Sequence, residues 1–209
     1  MYNCQSSSKF QLEEGDLLFQ DGDCGPFCDA IEAVTKGIND YNFSHIGLVM
    51  KNEKSELNVM EAVSSGVVLT PLKDFLNRSF DVNKDPKVIV GRLKPEFRHL
   101  TPATIAFIKS KMKAEYDKFF DLNNDSYYCS ELIHLAFKSA NNNDPIFEEQ
   151  PMTFIAPDTK ETYAIWETYF NKLNYKIPEG ELGLNPGGMS RSPFIEIVHY
   201  YGEPSKSEY

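Results

Sequence analysis

Strand-like segments fill most of the first hundred residues, and two strong amphipathic helices follow them. That order leaves few architectures open. Gly15-Asp16 reads as a turn into a short buried strand, Leu17-Leu18-Phe19-Gln20. Residues 29–37 carry Ile31 and Val34 among alanines, a short helix closed by Gly37. Residues 46–50 are continuously apolar, 51–58 form a polar hairpin connection, and 58–63 make the return strand. Residues 67–69 continue the sheet, Pro71 opens a short helix to 77, and residues 87–93 alternate into another strand. Thr101 and Pro102 suit the start of a helix over 103–116, with Thr101 as the cap. After the polar loop 121–126 a second helix runs from Cys129 to Ala140, burying Leu132, Ile133, Ala136 and Phe137. A further helix is expected near 161–173 and a last strand over 194–200. Strands followed by helices imply an α+β fold with an antiparallel sheet.

Bulk properties narrow the function. A chain of 209 residues that is 41% hydrophobic builds a sizeable core as one domain, needing neither metal nor disulfide to fold. The formal net charge of -10 disfavours nucleic acid and anionic membrane surfaces as partners. No run of about 18 apolar residues occurs, so no stable membrane insertion is expected. The start, Met1-Tyr2-Asn3-Cys4, has neither a basic nor an apolar leader region. Cys4 before a serine-rich stretch leaves two readings open: a cytoplasmic chain, or a periplasmic or lipid-anchored one whose export signal was removed. Cys24 and Cys28 match neither a redox pair nor half of a zinc site, and they read as two small half-buried side chains at a helix start. Metal and other cofactors are not called for.

Three residues carry the chemistry. Cys129 lies where a polar loop meets an apolar helix, and a helix N-terminus favours both a thiolate and an oxyanion. A cysteine there is equally suited to packing in the core. Of the four histidines, His45 differs from His99, His134 and His199 because it opens a rigid apolar strand after Ser44. Glu61 interrupts the return strand Val59-Met60-Glu61-Ala62-Val63, and hairpin pairing brings it near His45. A buried carboxylate needs a partner, and orienting an imidazole provides one.

These segments together resemble a known family. Gly15-Asp16-Leu17-Leu18-Phe19 and Ser44-His45-Ile46-Gly47-Leu48 look like part of the NlpC-type cell-wall peptidase core. The nucleophile segment Tyr128-Cys129-Ser130-Glu131-Leu132 follows them instead of preceding them. The chain thus resembles the circularly permuted papain-like amidases of the YiiX/YaeF type, with a core over about 13–140 and a wrapping segment over about 145–209. The resemblance implies Cys129 as nucleophile, His45 as base, Glu61 as orienting group and Tyr116 as oxyanion donor. Ser44, Tyr128 and Glu131 are implied at the substrate, with Tyr127 also walling the pocket. It further implies a small peptide or amide substrate, such as the γ-D-glutamyl-diamino acid bond of a cell-wall peptide. Two other readings stay open. One is a lipid-directed thiol acyltransferase or esterase, with an apolar groove from Phe119, Phe120 and Phe154. The other is a binding module without chemistry, against which the intact Cys, His and Glu set speaks.

Overall fold

A computed structural model describes residues 10–206. Cys4 lies outside the described residues. The sheet is built on β1 (Leu17–Gln20), buried along its whole length. On one side of it lie β2 (His45–Lys51), β3 (Leu57–Val63) and β4 (Gly66–Pro71). On the other lie β5 (Val88–Leu93) and β8 (Ile195–Tyr200). The order β4-β3-β2-β1-β5-β8 is antiparallel at every pairing. The chain is therefore a mixed helix and sheet protein, as the segment order implied. The turn at Gly15-Asp16 is pinned to β5, because the buried Asp16 carboxylate accepts from Arg92 at 2.7 and 2.8 Å.

Strand alternation sends side chains to two layers. Leu17, Phe19, Ile46, Leu48 and Met60 pack with α4 (Cys129–Ala140), which lies against β2 and β3 beside α3 (Thr101–Ser110). Leu18, Val49, Val59, Val88 and Val90 face the other way, under Phe75 of α2 (Leu72–Leu76). A third cluster joins α1 (Pro26–Val34) to α5 (Ala164–Lys172) around Phe154, Trp166 and Phe170. The remaining elements are the two-stranded β6 (Gln150–Pro151) with β7 (Leu182–Gly183), and α6 (Pro186–Ser190). Among the described residues no helix is long and apolar enough to cross a membrane.

The structure departs from the sequence reading in three places. α1 begins at Pro26, three residues before the expected 29, because proline suits a first helical turn. α3 includes Thr101 in place of being capped by it, and stops at Ser110 instead of 116. Past that point backbone pairing overrides helix propensity: Lys113 N–H donates to the Val67 carbonyl and Val67 N–H to that of Ala114, both at 2.9 Å. The chain then runs as an arm beside β4, which carries Tyr116 toward the α4 N-terminus. Finally, Cys24 and Cys28 are not two separate thiols but a disulfide. The Gly25-Pro26 turn brings their Cα atoms to 5.3 Å, inside the bridging range.

Gly47 sits where β2 is packed most closely. A Cβ there would lie 2.4 Å from Val59 Cγ1 and 3.2 Å from Phe75 Cε2. Gly47→Ala is expected to lower the unfolding free energy by roughly 1–3 kcal/mol, the usual range for overpacking. Urea unfolding with linear extrapolation checks this, and an unchanged midpoint would contradict the close packing described.

Candidate active site

The site forms where the two layers meet at the open end of β2. His45 is the first residue of β2, so its ring reaches past the strand end toward the α4 side. Its face is set by Phe75, whose ring centroid lies 5.8 Å away. Cys129 is the first residue of α4 and packs with the opposite layer. His45 Nε2 lies 2.6 Å from Glu61 Oε2, and Cys129 is near enough for its charge to act on the ring. With Nε2 occupied by Glu61, Nδ1 is the ring nitrogen left for the sulfur. Ser130 Oγ lies 3.8 Å from the sulfur.

Glu61 has no exposed surface, yet it is fully partnered. Arg78 donates to it through both terminal nitrogens, at 2.7 and 2.6 Å, and Thr70 Oγ1 donates to Oε1. Neither Arg78 nor Thr70 was picked out from the sequence. Burial would raise the Glu61 carboxyl, but the bonds from His45 and Arg78 outweigh it and hold the group down at about 2. Burial would likewise lower His45, whereas the bonds to Cys129 and Glu61 raise it to about 9. For Cys129 burial pushes the thiol up, and the bond and charge of His45 bring it below its ordinary value. All three shifts point to a thiolate–imidazolium pair standing on a carboxylate. Such a pair attacks an electrophilic carbon without a separate deprotonation step.

The other expected residues divide. Tyr116 lines the same cavity, and its hydroxyl pKa is raised well above the ordinary value by burial and then by the Cys129 charge. Tyr128 also lines the cavity, its hydroxyl accepting from Leu184 N–H at 3.0 Å. Ser44 is buried at the cavity edge and accepts from Gly22 N–H at 3.0 Å. Glu131 is not on the wall: it is wholly buried and caps α4, accepting from Tyr128 N–H at 3.1 Å. Burial raises its pKa to about 8, which favours its neutral form beside Cys129. Tyr127, expected at the pocket, is instead a core residue beneath the Lys111 ammonium.

The cavity beside Cys129 holds about 750 Å³. Phe27, Phe120, Met152, Phe154, Trp166 and Leu184 form its apolar walls, and the Cys24–Cys28 disulfide lies along it. Phe119 is absent from the wall and packs outside on Tyr175, with ring centroids 4.7 Å apart.

With this geometry in view, the comparison with known families is decisive. The profile of the permuted papain-like amidase enzymes, the YaeF/YiiX or C92 family, matches residues 11–199. The chain belongs to that family. Members are cysteine peptidases or amidases with a permuted papain-like fold. The fold is similar to a crystal structure described as metalloprotein YiiX from Escherichia coli O157:H7. The TM-score is 0.74 at 24% identity, covering 93% of this chain and 100% of that one. No curated protein matches. The description of YiiX speaks of a metal. Among the described residues of this chain no group of three or more His, Cys, Asp or Glu is placed to hold one.

The shifts of His45 and Glu61 imply a pH dependence of stability. Glu61 is held down to about 2 from 4.5, so its contribution is present above 4.5 and is lost as pH falls toward 2. His45 is raised from 6.5 to about 9, so its contribution is complete below 6.5 and is lost as pH rises through 9. The difference in unfolding free energy between wild type and Glu61→Gln should therefore be greatest between 4.5 and 6.5. Urea titrations at a series of pH values measure it, and a difference independent of pH would refute the ion pair.

Proposed function

We propose that Cys129 is the nucleophile of an amide hydrolase that works through an acyl-thioester, with His45 as its proton carrier. The observation that carries this reading is the 2.6 Å bond from His45 to the buried Glu61, with Cys129 on the same cavity and acting on the imidazole. The Cys129 thiolate attacks the substrate carbonyl carbon, and the carbonyl oxygen takes up the negative charge. The free N–H groups of the first turn of α4 and the Tyr116 hydroxyl donate to that oxygen. As the tetrahedral species collapses, the C–N bond breaks and His45 passes its proton to the departing amine. Neutral His45 then takes a proton from water, hydroxide adds to the thioester, and the acid leaves while Cys129 regains its thiolate. Glu61 keeps the imidazole oriented throughout.

The cavity also bears on the acyl group. A γ-D-glutamyl-diamino acid peptide carries several charges, and such groups need charged partners on the wall. The charged side chains that line the cavity, apart from His45, are Asp23, Arg78 and Lys118, and Arg78 is already engaged by Glu61. The aromatic walls favour a large apolar acyl group instead. Phe120 and Phe154, singled out in the sequence for an acyl-chain reading, both contribute.

Hydrolysis of N-acyl amino acids of increasing chain length, compared with a γ-D-glutamyl-diamino acid peptide, tests the proposal. kcat/KM should rise with chain length, by up to about 0.8 kcal/mol for each CH2 that becomes buried. Faster cleavage of the wall peptide, with no response to chain length, would return the substrate to the cell-wall class. Cys129→Ala should abolish turnover, and Tyr116→Phe should add roughly 2–4 kcal/mol to the barrier. Turnover by Cys129→Ala at the wild-type rate would remove the nucleophile assignment.

A further inference from the structure

Glu61 presents a problem of charge. A buried carboxylate alone beneath an imidazolium would make the ring so basic that it would hold its proton instead of passing it on. The structure adds a second cation to that carboxylate. Arg78 grips both oxygens of Glu61 as a fork, while its guanidinium carbon lies 5.1 Å over the Phe75 ring. Phe75 in turn faces His45, and Gln20 Nε2 fixes the Phe75 carbonyl at 3.0 Å. One rigid aromatic ring thus sets the positions of both cations that share Glu61.

We propose that Arg78 is a positioning residue for the Cys129–His45 pair: its fork fixes the Glu61 carboxylate, and its charge offsets that carboxylate so that His45 still releases a proton. Glu61 with Arg78 then behaves as a neutral, rigid acceptor for His45. The side chain of Arg78 is 35% exposed and lies on the cavity wall, whereas Glu61 is closed off. The groups that face His45 and Glu61 are Cys129 from α4, Thr70 from β4, Arg78 beyond α2, and Tyr116 from the arm before α4. Of these, Arg78 is the permanent cation. Its loss should therefore raise the pH at which every member of the pair titrates.

This inference rests on the reading of Cys129 and His45 as a reactive pair, but its test needs no substrate. Iodoacetamide alkylation of Cys129, followed by mass spectrometry of the Cys129 peptide, gives the pH profile of thiolate reactivity. Wild type should react over an acid-shifted range. In Arg78→Met both limbs of the profile should move up by about one pH unit or more, the effect of removing a charge a few Å away. Arg78→Lys, which keeps the charge and loses the fork, should leave the limbs at the wild-type positions. If Arg78→Met does not fold, Arg78→Gln carries the same expectation. Limbs that stay in place while only the amplitude drops would mean a merely structural Arg78 and overturn the proposal. So would a shift in Arg78→Lys equal to that in Arg78→Met. Ordinary thiol behaviour in the wild type would instead overturn the reactive pair itself, so the two failures are distinguishable.

Discussion

The constraint on which the rest depends is a carboxylate with no access to water. Burying an isolated charge is so unfavourable that a group in Glu61's position would normally protonate. Here four hydrogen bonds converge on it, from His45, Thr70 and both terminal nitrogens of Arg78. Each donor comes from a different element, so the carboxylate ties together β2, β4 and the loop after α2 around β3. Breaking any one leaves part of a buried charge uncompensated, which is why such networks are held rigidly or not at all. The imidazole inherits that rigidity. A hydrogen bond of 2.6 Å to an immobile acceptor fixes the ring better than packing alone.

Topology then brings Cys129 to the ring. His45 and Glu61 belong to the sheet face covered by Phe75, and Cys129 to the layer on the opposite face. They meet only because His45 is the first residue of its strand and Cys129 the first of its helix. Two residues further into β2, at Gly47, a side chain on that face would be walled off by Val59 and Phe75. The helix start also supplies unpaired N–H groups and the positive end of the dipole. Glu131 takes the cap at Tyr128 N–H, and the burial that raises its pKa lessens the charge it sets against Cys129. The permutation leaves this geometry intact, because a strand end and a helix start can face each other whichever comes first in the chain.

The parts legible in the sequence were those with a local signal. The β1 and β2 strands, α4 and the last strand show the periodicity their burial demands. Glu61 could be read from its interruption of an apolar strand, and His45 from its place at a strand start. Arg78 had no such mark. It lies in Asn77-Arg78-Ser79, a polar stretch with no period, and its role exists only through contact with a residue 17 positions away. A thiolate, an imidazolium and a carboxylate together carry one net negative charge, and Arg78 is the cation that balances it. The early end of α3 escaped for a related reason. Residues after Ser110 are compatible with a helix, but the free edge at Val67 offers them two backbone bonds that the sequence of the helix does not advertise. Cys24 and Cys28 were misread because the spacing alone does not report the tight Gly25-Pro26 turn between them.

A division of labour follows from where the residues come from. The proton-handling set draws on β2, β3, β4 and α4, elements locked into the sheet and the main core. The apolar wall draws mainly on α1, α5, Phe120 before α4 and the chain between α4 and β7, which form their own aromatic cluster around Trp166; Leu184 joins the wall from the main core. Reshaping that cluster changes what fits beside Cys129 without touching the bonds to Glu61. The disulfide lies on the wall side of this division, at the start of α1, and not in the proton-handling set. In the proposed amidase, buried charge in the sheet sets the chemistry, and apolar contacts in a wall packed largely apart from it set the acyl group.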